Sequence, residues 1–344
     1  MGLASARQTL NVVIMSQPIE VDLLIVGAGP TGLYAAYYAG FRGLSVAIMD
    51  SLPQAGGQIS ALYPEKMIYD VAGYPEIKGQ LLVDALVEQV APFEPQYLLG
   101  HRAESLVSTE DYVDVGSHRD LTVRAKAVII TGGIGTFTPR PLPDAETYED
   151  HGLRYFVPKL DDLKGLDVLI VGGGDSAFDW AQSLEPIAKS ITLIHRRDKF
   201  RAHEGSVAKV LAGPTEVMTP WEVGRIIGDP DVTSVEIFHS GNADRRTLQI
   251  QSVVAALGFT ADLSAFATWG LEQHKRHIVV DPTMRTNLTR VFAAGDIIDY
   301  KDYWDAKVRL ISVGFGEAAT AVNNSVVTID PTKKVFPGHS SDPH

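Results

Sequence analysis

One pattern constrains this chain more than any other, and it occurs twice. Val21-Asp22-Leu23-Leu24-Ile25-Val26 runs into Gly27-Ala28-Gly29-Pro30-Thr31-Gly32, and later Asp167-Val168-Leu169-Ile170-Val171 runs into Gly172-Gly173-Gly174-Asp175-Ser176-Ala177. A strand buried on both faces reads as a near-continuous apolar run. Glycines directly after it permit a tight turn, a close backbone approach to a pyrophosphate, and tight packing of the helix that follows. One such motif is a weak signal. Two, each between a strand pattern and a helix pattern, imply two dinucleotide-binding βαβ units in one chain, and the simplest joint use of two such sites is to pass electrons between cofactors. At 344 residues the chain has room for both.

The residues after each second strand separate the two units. In the first, Leu44 to Met49 reads as a strand ending in Asp50, 23 residues after Gly27. A carboxylate at that spacing accepts from a ribose 2′-hydroxyl and repels a 2′-phosphate, so Gly27, Gly29, Pro30, Thr31, Gly32 and Asp50 suit FAD or NAD. In the second, Ser190 to Ile194 ends in His195-Arg196-Arg197-Asp198-Lys199-Phe200-Arg201 instead of an acid. Guanidinium groups bind a 2′-phosphate through charge-assisted bonds, which points to NADP(H).

The remaining chain divides around these units. Ala127 to Gly133 reads as a strand with a small-residue turn, and Pro139, Pro141 and Pro143 follow as a linker or hinge. Val253 to Phe259 repeats the strand-and-glycine pattern on the other side of the second fingerprint. The second unit is therefore expected to be inserted within the first, which resumes with the strand Arg290 to Ala294, the Gly295-Asp296 turn, and a helix from Lys307 to Asn324 in which Gly314 and Gly316 allow close approach. Leu98 to Val123 reads as a small β-meander. The resulting fold class is α/β, with two Rossmann-like dinucleotide-binding domains: a discontinuous domain at 18–133 and 270–344 for FAD or NAD, an inserted NADP(H) domain at 138–265, and an extension at 1–17. That extension lacks a basic n-region and a cleavage site, so it does not read as a signal peptide, and a cytoplasmic protein is expected. A net charge of −12 argues against non-specific nucleic-acid binding, and no apolar run has membrane-spanning length. There is no cysteine, which removes disulfides, thiolate chemistry and cysteine-ligated metal; no metal site is expected.

Beyond the fingerprints, Ser51-Leu52-Pro53-Gln54-Ala55-Gly56-Gly57-Gln58, Ala61-Leu62-Tyr63-Pro64-Glu65-Lys66, His195 to Glu204, and Pro337-Gly338-His339-Ser340-Ser341 resemble segments of type 2, thioredoxin-reductase-like ferredoxin–NADP+ reductases. The chain departs from thioredoxin reductases themselves in lacking the redox cysteine pair. The resemblance implies that Gly57, Gln58 and Asp296 approach the ribityl-pyrophosphate part of FAD and that Tyr63 stacks on one flavin face. His339, with Ser340, would cover the other face across a homodimer interface, and Ala103 and Phe137 would line the cofactor. Gly172, Gly174, Asp175, Ser176, His195, Arg196, Arg197 and Arg201 would hold NADP(H). The implied activity is hydride transfer between NADP(H) and flavin and single-electron exchange with ferredoxin or flavodoxin. The flavin carries the chemistry, so no catalytic side chain is expected. Two other readings stay open on the same scaffold: an NADPH-dependent reductase of quinones or another small acceptor, and a non-enzymatic flavoprotein that senses NADPH.

Overall fold

The computed structural model describes residues 17–336 and 338, apart from 144, 150, 158, 263 and 301–306. Two Rossmann-like α/β units are present, and the second is inserted in the first. The first is a seven-stranded sheet. Its centre is Ile19–Val26, flanked in parallel register by Val46–Asp50 and Thr122–Ile130, with Leu24 opposite Ala47 on one side and Val128 on the other. Leu23, Leu24 and Ile25 have no exposed surface, as a strand covered on both faces requires. Val291–Ala293, from near the other end of the chain, pairs in parallel with Thr122–Ile130 and brings the Gly295-Asp296 turn beside the first fingerprint. The stretch expected to be a meander splits in two. Gln96–Leu99 extends the parallel edge beside Val46–Asp50, whereas Ala103–Ser108, Val113–Ser117 and Thr122–Ile130 form the antiparallel part.

The second unit has five parallel strands in the order Leu153–Arg154, Ser252–Ala255, Asp167–Val171, Ser190–Ile194, Glu216–Met218. A three-stranded antiparallel sheet of Trp221–Gly228, Val232–His239 and Arg245–Gln249 packs on it through Trp221, Val235 and Ile237, and the sequence reading had no counterpart for that layer. The chain crosses between units on Thr136–Pro139 and returns on Phe259–Asp262, and these strands pair antiparallel, Phe259 opposite Pro139. Of the expected hinge prolines, Pro139 thus ends one strand of a two-stranded ribbon, and Pro141 and Pro143 follow it. One hydrophobic core joins residues from Val21 to Ile130 with residues from Phe266 to Val326, while the cores of the middle segment run from Leu142 to Ala255.

The C-terminal helix differs from expectation. It spans Ile311–Ile329, not Lys307 to Asn324, and Leu310 before it is extended at φ −131°, ψ 150°. Val308 and Leu310, which the expected helix would include, are exposed, while the Lys307 side chain is buried. Of its two glycines, Gly314 has no room for a Cβ, which would fall 2.4 Å from Thr31 Oγ1, whereas Gly316 has open space and no packing need.

Candidate active site

The first fingerprint opens onto a cavity of about 700 Å³ at the carboxyl end of the parallel strands, the ligand position of open α/β sheets. Gly27 turns the chain at φ +119°, a left-handed value that favours glycine. Its N–H donates to the Met49 carbonyl, and the Gly27 carbonyl accepts from Thr131 Oγ1 at 2.8 Å. A Cβ at Gly32 would lie 1.9 Å from the Gly27 carbonyl oxygen, so the helix Pro30–Phe41 can pack against its turn only with glycine there. At Gly29 a Cβ would meet nothing within 4 Å, which leaves bare backbone facing the cavity at a helix N-terminus, the geometry that accepts a phosphate.

Ten of the sequence-predicted residues line this one cavity: Gly27, Gly29, Pro30, Thr31, Asp50, Gly57, Gln58, Tyr63, Ala103 and Asp296. Asp50 Oδ2 accepts from Ala28 N at 2.6 Å and its Oδ1 from Leu52 N at 2.8 Å. Burial pushes its carboxyl up, opposed by those two N–H bonds. The Gln58 loop lies on the fingerprint through Gly56 N to the Ala28 carbonyl at 2.8 Å. Burial, then the Asp296 charge, raises the Tyr63 phenol, which keeps it neutral. Gly32 sits behind the cavity as a packing residue, and Phe137 is placed on the strand Thr136–Pro139. His339 and Ser340 lie outside the described residues. The lining also holds residues given no role from sequence: Thr131, Gly132 and Gly133 after the central strand, His101 and Arg102, and Arg309. The small-residue turn at Gly132-Gly133 was a visible signal for the first group; the others come from loops with no motif. A dinucleotide fits this set, with bare backbone for the pyrophosphate, a bonded carboxylate for the ribose, and an aromatic beyond.

The second fingerprint is more open. A Cβ at Gly172 would lie 2.4 Å from the Ala256 carbonyl, at Gly173 it would strike the His195 ring at 2.5 Å, and at Gly174 it would meet nothing within 4 Å. His195 therefore floors the turn, 5.7 Å from the Phe200 ring. Its pKa is lowered by burial first and further by Arg196, Arg197 and Arg201. Arg201 N donates to the Gly173 carbonyl at 2.7 Å, and Asp175 Oδ1 accepts from His203 N at 2.8 Å, so the far end of the basic loop is tied to the turn. Arg196, Arg197 and Arg201 are exposed beside it, and Ser176 is exposed on the helix Asp175–Leu184. That helix meets the first cavity: Asp179 Oδ2 pairs with Lys66 Nζ at 2.7 Å, and Lys66 is a lining residue. Among the described residues no group of three or more His, Asp or Glu could hold a metal, and no helix is long and apolar enough to cross a membrane.

Comparison with known proteins adds to this geometry. Residues 21–325 match the family model described as pyridine nucleotide-disulphide oxidoreductase. The chain is 58% identical over 320 residues to the ferredoxin–NADP reductase of Frankia casuarinae, covering 93% of this chain and 98% of that protein. It is 59% identical over 323 residues to that of Salinispora tropica, covering 94% and 99%, and 47% identical over 329 residues to that of Thermus thermophilus, covering 94% and 97%. Among solved structures, T. acidophilum thioredoxin reductase matches with a TM-score of 0.71 at 26% identity, covering 91% of this chain and 99% of that one. Lactococcus lactis thioredoxin reductase shares the fold with a TM-score of 0.71 at 24% identity, covering 90% and 99%. The family depends on FAD and NADP(H).

Proposed function

We propose that this chain, which belongs to the ferredoxin–NADP reductase family of the pyridine nucleotide-disulphide oxidoreductases, moves electrons between NADP(H) and ferredoxin or flavodoxin through a bound FAD. The observation that carries the reading is the pairing of unlike nucleotide sites: a cavity with a carboxylate at its ribose end, and an open fingerprint with exposed guanidiniums, joined where Lys66 meets Asp179. FAD, when bound, takes up a hydride and gives up electrons singly. The chain's own part is placement. The N–H groups of the Gly27–Gly32 turn and the helix behind it face the pyrophosphate, Asp50 takes the adenosine ribose, and Tyr63 presents a neutral ring to the flavin. Arg196, Arg197 and Arg201 take the 2′-phosphate that distinguishes NADP(H) from NAD(H). Ile311, where the C-terminal helix begins, also lines the cavity and brings a positive dipole end to the flavin side.

A homodimer fits the tail. Arg42 donates to the Val335 carbonyl at 3.0 Å and also bonds Asn323, twelve residues beyond the cavity-lining Ile311 and thus about 18 Å along the helix. His339 is four positions beyond Val335, a span of at most about 14 Å. This reach supports a His339 that serves the flavin of a second copy. The same reading puts the protein in the cytoplasm, where NADPH is supplied.

Steady-state reduction of ferredoxin by NADPH, with NADH as control and with ionic strength varied, tests the proposal. Turnover with ferredoxin that prefers NADPH and weakens with salt is expected. Thioredoxin reduction is expected to stay at background, because no dithiol exists to relay electrons. Absence of ferredoxin or flavodoxin turnover alongside brisk quinone reduction would overturn it. Sedimentation of the holoprotein at monomer mass would remove the homodimer.

A further inference from the structure

Gly295 is held from both sides by one buried ion pair. Its N–H donates to Glu317 Oε2 at 2.8 Å, and its carbonyl accepts from Lys307 Nζ. Lys307 Nζ and Glu317 Oε2 are themselves 3.1 Å apart, with side chains only 3% and 6% exposed. Tyr300 completes the group, its hydroxyl donating to Glu317 Oε1 at 3.0 Å. Two separate pieces of chain thus converge on Gly295, the segment before the C-terminal helix and the helix itself, and the stretch after the turn braces Glu317 through Tyr300.

Stability does not account for this arrangement. Taking two charges out of water is costly, and well-packed apolar residues in place of a buried pair are often as stable or more so. Position accounts for it better. Gly295 sits at φ +84° and has the widest conformational freedom of any residue, yet the residue after it, Asp296, must present its carboxylate to the cavity. An ungripped glycine would let that carboxylate swing. Burial lowers the Lys307 pKa, while Glu317 and Asp296 raise it, so the ammonium also senses the carboxylate whose turn it holds.

We propose that Glu317 and Lys307 are a positioning pair that fixes Asp296 at the flavin by gripping the Gly295 peptide on its N–H and its carbonyl. The inference rests on the reading of Asp296 as an FAD contact. Both residues act through Asp296 and touch no reacting atom.

A double-mutant cycle tests this on the holoprotein, read by the FAD dissociation constant from flavin fluorescence and by the visible band of bound flavin. Asp296→Asn and Glu317→Gln are each expected to weaken FAD about tenfold, the scale of one hydrogen bond to a charged group. If Glu317 works through Asp296, the combined variant is weaker than Asp296→Asn alone by no more than about twofold, because the two changes are not independent. Glu317→Gln should also shift the flavin band in the same direction as Asp296→Asn. Should Glu317→Gln fail to fold, Glu317→Gln/Lys307→Met removes both charges while keeping an acceptor for Gly295 N–H, and the same sub-additivity with Asp296→Asn is expected. An Asp296→Asn variant that binds FAD normally overturns the Asp296 contact and this proposal with it. Weak binding in Asp296→Asn, with a Glu317→Gln effect that is absent or fully multiplicative, overturns the positioning pair while leaving the Asp296 contact standing.

Discussion

The two fingerprints share a plan and differ in how tightly they close. At the third small position the first unit has Gly32, where a Cβ would lie 1.9 Å from a backbone carbonyl, while the second has Ala177, whose methyl is accommodated in a fully buried position. After the second strand the first unit has Asp50, bonded to two N–H groups in the cavity wall, while the second has Arg196 and Arg197 in solvent. The first is a socket whose polar groups are fixed before a ligand arrives, which suits a cofactor that stays. The second is an open edge whose charges act through water and are screened by salt, which suits a coenzyme that comes and goes.

The sharpest way to break this contrast is to give each unit the other's residue. Gly32→Ala places a methyl inside van der Waals contact with backbone that cannot yield without moving the strand turn. The expected outcome is protein purified with little or no FAD and a strongly lowered melting temperature. Ala177→Gly adds the backbone freedom of a helical glycine, about 0.5–1 kcal/mol, and loses one buried methyl, about 0.8 kcal/mol, and should keep both FAD and the NADPH preference. The flavin-to-protein absorbance ratio and a thermal melt read both variants. Full FAD content in Gly32→Ala would show that the first socket is no tighter than the second.

A smaller effect, confined to the second unit, is expected from Arg196→Ala/Arg197→Ala. Loss of one or two charge-assisted bonds predicts a KM for NADPH raised about ten- to several-hundred-fold. The KM for NADH and the FAD content should hardly move. A double variant that still prefers NADPH would reassign the 2′-phosphate site.

The sequence shows clearly what short-range rules control and obscures what sheet order controls. Gly27, Gly29 and Asp50 are legible because strand, turn and spacing are fixed within one βαβ unit. Arg196 and Arg197 are legible because they stand where the first unit has its acid. His101, after the strand Gln96–Leu99, and Arg309, just before the C-terminal helix, reach the same cavity only because distant pieces of chain are set side by side, and no local pattern announces that. The helix start was misread for a related reason. Lys307 to Leu310 stay outside the helix, Leu310 being extended, and the Lys307 ammonium reaches the Gly295 carbonyl, so tertiary contact overrides local preference. The antiparallel layer from Trp221 to Gln249 was missed because its outer strand Arg245–Gln249 is mostly exposed and polar and offers no apolar alternation.

The smallest expected effect separates the units by pH. His195 is packed under Gly173 and beside Phe200, and burial together with the neighbouring arginines lowers its pKa in the folded protein. The unfolded chain therefore takes up a proton as pH falls below about 6.5 while the folded chain does not, and unfolding is favoured by that difference. Stability from this group is fully present above about pH 6.5 and is lost progressively as pH falls towards the lowered folded value. Asp50, raised by burial in the first unit, has the opposite sign: its contribution is present at low pH and declines as pH rises through its folded value. Melting His195→Gln and the unchanged protein at pH 7.5 and pH 5.5 isolates the histidine. The variant is expected to lose less stability between the two pH values than the unchanged protein. Equal losses in the two proteins would mean that His195 is protonated as readily in the fold as outside it, and that the floor of the second site is as wet as its rim.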